Sequence, residues 1–513
     1  MRFEFVACAT LPRLGWCAHL RRDSGVARVY HGPWVETRDD WFVEGAWTGP
    51  FERGEIDSAG FNVGSGGVLR AGRAVFCTQT DMIERLYSVR VGADLFLSNS
   101  LVFVLAMTGD EPDPYFPFYY HELRAHFIDG IQRKRKTIHT RMGRRVVLHD
   151  HCQIAVGSDL RLERIEKPVF PQPASFGEYV ALLHGVLAAV LENAASPRRR
   201  HRRYAGLATA SGGYDSNALA VLLSRIGVRE AMTFFDGTPG KDSGAEVARL
   251  LGMQVREYAR AGFRTLRDID EAEFFGGPRG HDVVLAACEE QLVGRVLVIG
   301  RHGDVVFGLD RSKALSDFRT KREYVTSGST LLEFRLRVGF LNFNPLYTAG
   351  LHVSALHAIA RSDEMQPWRL GGAYDRPIPR RILEEAGIPR AMFGVTKAAS
   401  AAFHFKSSAA LSSAGRADFE SYQRSMPRPG WWRRRWQRGL VKLRSRCRKL
   451  AERIGSSWYT GGRIAESLIP VPRRYGRTNE MDFAMHWGHA RVRKRYAEAV
   501  AAQSHGAARR VTL

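Results

Sequence analysis

Hydrophobic and polar positions change their period twice along the chain. From residue 1 to 166, short runs such as RAVFCTQT (73–80), DLFLSNSLVFVL (94–105), RRVVLHD (144–150) and CQIAVGSDL (152–160) alternate between Gly, Asp and Asn clusters. That period suits half-buried strands and predicts a mostly β domain over 1–166. The three prolines of KPVFPQPAS (167–175) predict a linker over 167–174, and FGEYVALLHGVLAAVLENAA (176–195) then carries a helical period.

Beyond SPRRRHRRY the pattern becomes strand, turn and helix in repetition. YAGLATA leads to SNALAVLLSRIG, EAMTFF leads to SGAEVARLLG, and VVLAACEEQLVG leads to RVLVIG. Such alternation predicts an α/β domain over 175–415 built on a doubly wound parallel sheet. From about 320 strand signals fade, and LHVSALHAIARS and PIPRRILEEAG read as helices packed on that sheet.

The last region, 416–513, reads as basic and helical. Trp432, Trp436, Leu440, Leu443, Cys447, Leu450 and Ile454 fall on one helical stripe, and ten Lys or Arg residues fill 433–453. Tryptophans at one end of the stripe and a dense basic face suit an anionic membrane surface over 431–454. Docking on the rest of the protein and a nucleic-acid contact are the other readings of the same stripe.

Composition narrows the classes. A formal net charge of +23 calls for a polyanionic partner, whether nucleic acid, anionic lipid or phosphorylated substrate. Six dispersed cysteines without a CxxC argue against a disulfide framework or a structural zinc site, which predicts a cytoplasmic setting. No apolar run is long enough to span a bilayer, so the expectation is a cytoplasmic protein, with a peripheral seat on the inner membrane face as an option. The histidines of HDHC (149–152) sit at strand spacing without a third ligand, which favours satisfied histidines over a metal site.

The chemistry gathers at SGGYDS, residues 211–216. A turn between a strand and a helix presents unpaired backbone N–H groups at the positive end of the helix dipole, which suits phosphate. Ser211, Gly212, Gly213, Tyr214 and Ser216 can form the cradle. Asp215 would repel those phosphates unless a divalent cation lay between, so the turn implies magnesium. Neither GxxxxGK[ST] nor GxGxxG is present, which excludes a Walker loop and the dinucleotide fingerprint.

SGGYDS resembles the pyrophosphate loop of the ATP pyrophosphatase superfamily, and the remaining segments resemble its asparagine synthetase-like branch. TFFDGTPGKDSGAEVARLLG is similar to that family's second strand and helix through Asp242, Glu246 and VARLLG. VLVIGRHGDVVFG is similar to its SGxGxDE segment, which puts Asp304 at the magnesium-binding aspartate beside Asp215. YDRPIPRRILEEAGIPRAMFGVTKAAS resembles the segment carrying a lysine that steadies the α-phosphorus, and Lys397 is the matching position. Arg301 and Val305 depart from the pattern, where the family has acids, which points to altered geometry or a different carboxylate substrate.

ERLYSVRVGADLFLSNSLVFVL resembles the late strands of a class II glutamine amidotransferase domain, so residues 1–166 read as a degenerate remnant of it. That domain uses a cysteine at position 2, activated by its own α-amino group; Arg2 stands there in this chain. The resemblance thus implies an ATP- and Mg²⁺-dependent amide ligase without glutaminase activity. It would join a carboxylate, on a small molecule, glycan or peptide, to ammonia or an amine through an acyl-adenylate. A pyrophosphate-loop enzyme acting on tRNA and a non-catalytic, membrane- or partner-binding homologue are the alternatives.

Overall fold

The computed structural model describes every residue except 114–118, 124–129, 132–135, 238–241, 268, 278–279, 310–329, 347–351, 373, 395–402, 404, 406, 427–430, 454–479 and 511–513. The first 165 residues form two sheets. One has seven strands in the order Arg2–Ala7, Val26–His31, Trp16–Arg21, Asp94–Ser98, Leu86–Val91, Arg145–His149 and Thr137–His139. The other has six, Leu162–Ile165, Gln153–Val156, Arg73–Cys77, Asn62–Arg70, Trp41–Trp47 and Glu36–Thr37. Trp16, Phe42 and Phe76 pack between them with the apolar residues of the flanking strands.

One run departs from its strand-like reading. DLFLSNSLVFVL divides at Ser100 into the strand Asp94–Ser98 and a helix, α1 (Leu101–Met107). The Ser100 hydroxyl accepts the Phe103 N–H at 2.9 Å, an N-cap that starts the helix. Leu101 to Leu105 are all buried, and a helix apolar all round shows no period for sequence reading to find.

Helix α2 (Phe176–Ala195) follows the proline-rich stretch. Ser175 caps it by accepting the Glu178 N–H at 3.2 Å, while the Glu178 carboxylate accepts the Ala174 N–H at 2.8 Å. Its apolar face, including Tyr179, Leu183 and Leu187, is buried in one core with Ala46 and Phe61 of the N-terminal sheets.

The α/β half is built on five parallel strands: β1 (Ala205–Ala210), β2 (Glu230–Phe235), β3 (Gln254–Ala259), β4 (Arg295–Val298) and β5 (Leu341–Phe343). Their order in the sheet is β3-β2-β1-β4-β5, so the chain starts at the middle and winds out to both edges. Alternation assigns the faces: Ala208, Val296 and Val298 join the core shared with α2, whereas Leu207, Met232 and Leu297 join a second core on the opposite face. Strand β5 escaped the sequence pattern, because three fully buried residues give neither length nor alternation.

Helices α3 (Asp215–Arg225) and α4 (Ala245–Leu250) follow β1 and β2. A single turn, α5 (Gly303–Val306), follows β4, and α6 (Leu332–Val338) precedes β5. Helix α7 (Pro377–Glu385) packs Ile378 and Ile382 into the α2 and α3 core. Beyond it run α8 (Trp431–Arg453), where the basic stripe was expected, and α9 (Glu480–Arg510). Helix α9 buries Trp487 against Phe275 and Phe419, and stacks Tyr496 on Phe103 of α1. Among the described residues no helix is long and apolar enough to cross a membrane.

Candidate functional site

Strand β1 ends at Ala210, and the four residues before α3 make a tight turn fixed by one buried side chain. Asn217 accepts the Ser211 N–H at 3.2 Å and donates to the carbonyls of Ser211 at 2.6 Å and Gly213 at 2.9 Å. The turn keeps its shape because this amide spans both of its ends. The Ser211 hydroxyl accepts the Gly213 N–H at 3.1 Å and lies 2.7 Å from the Ser216 hydroxyl. An N–H and two hydroxyls therefore converge at the start of α3, the donor set an anion needs.

Close backbone approaches press the neighbouring loops onto this turn. A Cβ on Gly244 would lie 2.2 Å from the Ser211 nitrogen, and one on Gly300 would lie 2.6 Å from the Ser216 nitrogen. Glycine is required at both positions, so the β2–α4 and β4–α5 loops are held against the cradle from either side. Gly212 donates its N–H to the Asp242 carbonyl at 2.9 Å, and Asp242 takes a left-handed backbone, φ 60°, to receive it. Glu246 stands exposed on α4.

The β4–α5 loop brings the second carboxylate. A Cβ on Gly303 would fall 2.1 Å from Cγ of Asp215, so the backbone beside Asp304 rests directly on the Asp215 side chain. Arg376, at the entry to α7, is paired with Asp215. Burial works against the guanidinium charge, but Asp215, then Tyr374 and last Asp304 more than offset it and raise the Arg376 pKa. Asp215 thus pairs with one buried cation at the end of its strand.

Beside such a cradle the partly covered Asp215 carboxylate fits a divalent cation. Among the described residues no three His, Cys, Asp or Glu side chains gather in metal-binding fashion. The residues N-terminal to α7 supply the remaining wall. Tyr374 places its hydroxyl 3.5 Å from where a Gly213 Cβ would stand. Burial pushes its phenol up to about 12, with Asp215 and Asp242 adding to the rise against the pull of Arg376.

Tyr214 contributes differently from its neighbours. Its ring is buried, stacked edge-on to Tyr374 at 5.0 Å and Phe393 at 5.7 Å, with its hydroxyl bonded to Arg380. What Tyr214 offers the loop is backbone, and its side chain anchors α3 to α7. Gly394, at φ 66°, covers this ring and donates its N–H to the Gly212 carbonyl at 2.8 Å. Lys397, expected at the α-phosphorus, lies outside the described residues.

No family model matches this chain, and no curated protein matches it. The site is therefore read from its own geometry. The structure brings Ser211, Gly212, Gly213, Asp215 and Ser216 together, and sets the backbone of Gly303, next to Asp304, against Asp215. Sequence reasoning missed Asn217, Tyr374 and Arg376. The first continues SGGYDS into SGGYDSN, a polar residue where the helix turns inward, and was the one legible signal. Arg376 is one of 76 Lys and Arg residues, and no local pattern sets it apart.

The departures flagged at 301 and 305 have structural roles. Arg301 turns from the loop to Asp282 at 3.2 Å, and its carbonyl accepts from Asn344 at 3.0 Å. Val305 is buried on α5. The histidines of HDHC are bonded within the fold: His149 lies 2.8 Å from the Ser88 hydroxyl, and His151 lies 2.7 Å from the Thr80 carbonyl. Burial lowers both to about 4.

Proposed function

We propose that this chain is an ATP-dependent amide ligase of the asparagine synthetase-like type, with its α/β half a pyrophosphate-loop domain. The observation that carries the reading is the pairing of Asp215 with the buried Arg376 directly beside the Ser211–Ser216 cradle, with Gly303, the neighbour of Asp304, packed on the Asp215 side chain. A phosphate grip at a helix N-terminus with a cation held at its rim is the arrangement that polyphosphate binding requires.

In this reading the triphosphate lies over Ser211, Gly212, Gly213 and Ser216. Asp215 and Asp304 would hold magnesium, which offsets the charge of the departing pyrophosphate. An oxygen of the substrate carboxylate attacks the α-phosphorus while the bond to the bridging oxygen of the β-phosphate breaks. The products of that step are an acyl-adenylate and pyrophosphate. Arg376 and Lys397 supply positive charge to the phosphates where negative charge develops. An amine nitrogen then attacks the acyl carbon, loses a proton and expels AMP, leaving the amide.

Cys8 and Cys17 are both buried, Cys8 with its thiol raised to about 11 by burial, so neither offers a ready thiolate for releasing ammonia from glutamine. The nitrogen then comes from ammonia or an amine substrate.

Incubation with ATP, magnesium and pools of small carboxylates, glycans and peptides tests the proposal by pyrophosphate release. Release that depends on a carboxylate pool and disappears in Asp215→Ala supports it. Release that instead requires tRNA would move the chain to the tRNA-modifying class, and none under any pool would overturn the ligase reading.

A further inference from the structure

Helix α8 leaves its apolar residues uncovered. Trp432 is 75% exposed, Trp436 64%, Leu443 48% and Leu450 61%, while Leu440 and Cys447 are half-buried. At about 100° per residue these six positions fall within an arc of about 80° along a helix about 35 Å long. Trp431 continues the apolar end, packed edge-on against Trp432 at 4.3 Å and lying under Arg435. Large apolar side chains turned to water along about five turns of helix are costly unless a second surface takes them up.

The charge pattern selects that surface. Across 431–453 ten Lys or Arg residues stand against one acidic residue, Glu452, and they fall on both flanks of the apolar arc. Two copies of the helix would set like charges against each other, which disfavours self-association through this stripe. Nucleic acid would satisfy the charge and could stack on tryptophan, but it offers nothing to Leu443 and Leu450 half a helix away. An anionic bilayer meets both demands, since its headgroups pair with Lys and Arg while the acyl boundary receives Trp and Leu.

We infer that α8 is an in-plane anchor that seats the protein on anionic lipid. The inference stands on the exposure and charge of this helix and is independent of the ligase reading. The helix lies flat, its stripe inserted at the level of the acyl boundary, and the molecule becomes a peripheral membrane protein.

Flotation of the full-length chain with vesicles tests this, comparing phosphatidylcholine alone with an equal mixture of phosphatidylcholine and phosphatidylglycerol. The wild-type chain partitions at least about tenfold more strongly to the mixed vesicles, and its tryptophan emission shifts to the blue on binding. Replacing Trp432 and Trp436 together by Ser lowers that partition at least about tenfold, and the exposure of both positions leaves folding intact. A triple change of Lys442, Arg446 and Lys449 to Gln lowers it while weakening its salt dependence. Equal partition to both vesicle types, or no loss on removing the tryptophans, overturns the inference. So does binding to an oligonucleotide that the triple change weakens while neither vesicle is bound.

Discussion

The turn after β1 and the junction around Arg335 both gather charge inside this protein, and they handle it in opposite ways. At the junction, Arg335 of α6 is fully buried and bonded to Glu44 of the strand Trp41–Trp47 at 2.9 Å and to Glu84, in the loop before the strand Leu86–Val91, at 2.6 Å. Glu44 also accepts from the backbone and hydroxyl of Ser65, at 3.0 and 2.7 Å, and from Asn99 at 3.3 Å. At the turn, by contrast, Asp215 is only partly covered where it pairs with the buried Arg376, and the hydroxyls of Ser211 and Ser216 bond to each other. The first arrangement spends its polar groups on joining two halves, and the second keeps them together at a rim where a ligand can replace protein partners.

The comparison breaks most severely at Arg335. Arg335→Leu leaves Glu44 charged, buried and without its counter-ion, and should destabilise the chain by about 3–5 kcal/mol in urea unfolding. Loss of activity in that variant would follow unfolding, and folded molecules should retain nucleotide binding. At the turn the expectation reverses. Asp215→Asn should lower carboxylate-dependent pyrophosphate release by about 100-fold or more, the scale of removing one charge-stabilising group, while costing less in urea unfolding than Arg335→Leu because the amide oxygen still accepts from Arg376.

Asp81 offers a test of burial at the junction by pH. Burial raises its carboxyl to about 7, against the pull of Arg301, while its oxygen accepts the Ile83 N–H at 3.0 Å. The folded state therefore holds this proton more tightly than the unfolded chain does. Its stabilisation is complete below the usual carboxylate range and is lost as pH rises through about 7. Asp81→Asn stays neutral throughout, so the difference in unfolding free energy between wild type and variant should change by on the order of 2 kcal/mol between pH 5 and pH 7. A difference independent of pH would show that Asp81 is ionised in the fold throughout that range.

A smaller effect sharpens the turn itself. Gly303→Ala places a methyl group where Asp215 now lies and forces that carboxylate to move. Release of pyrophosphate should fall about tenfold, roughly the cost of displacing a positioned group. Unchanged release would mean that Asp215 works from another position than the one paired with Arg376.

How much of this was legible in the sequence follows the length scale of each feature. The β1–α3 and β2–α4 units were readable because strand, glycine turn and helix follow one another within 30 residues, and the period changes at each boundary. Helix α1 was hidden because burial on all sides erased its period, and β5 because three residues carry none. The candidate site divides in the same way. SGGYDS is local and stood out, whereas Arg376 reaches Asp215 across 161 residues of sequence. Its contribution depends on α7 packing Ile378 and Ile382 beside α3, a tertiary fact that no run of residues announces.

The central claim is that the SGGYDS turn and Asp304 form one site for cleavage at the α-phosphorus. Chromatography of the nucleotides formed from ATP labelled at the α-phosphate, with magnesium and an active carboxylate pool, tests it most directly. Labelled AMP should form in step with pyrophosphate, and both should be abolished by Asp215→Ala and by Asp304→Ala in proteins that remain folded. Labelled ADP in place of AMP, or AMP formation untouched by either change, would contradict it.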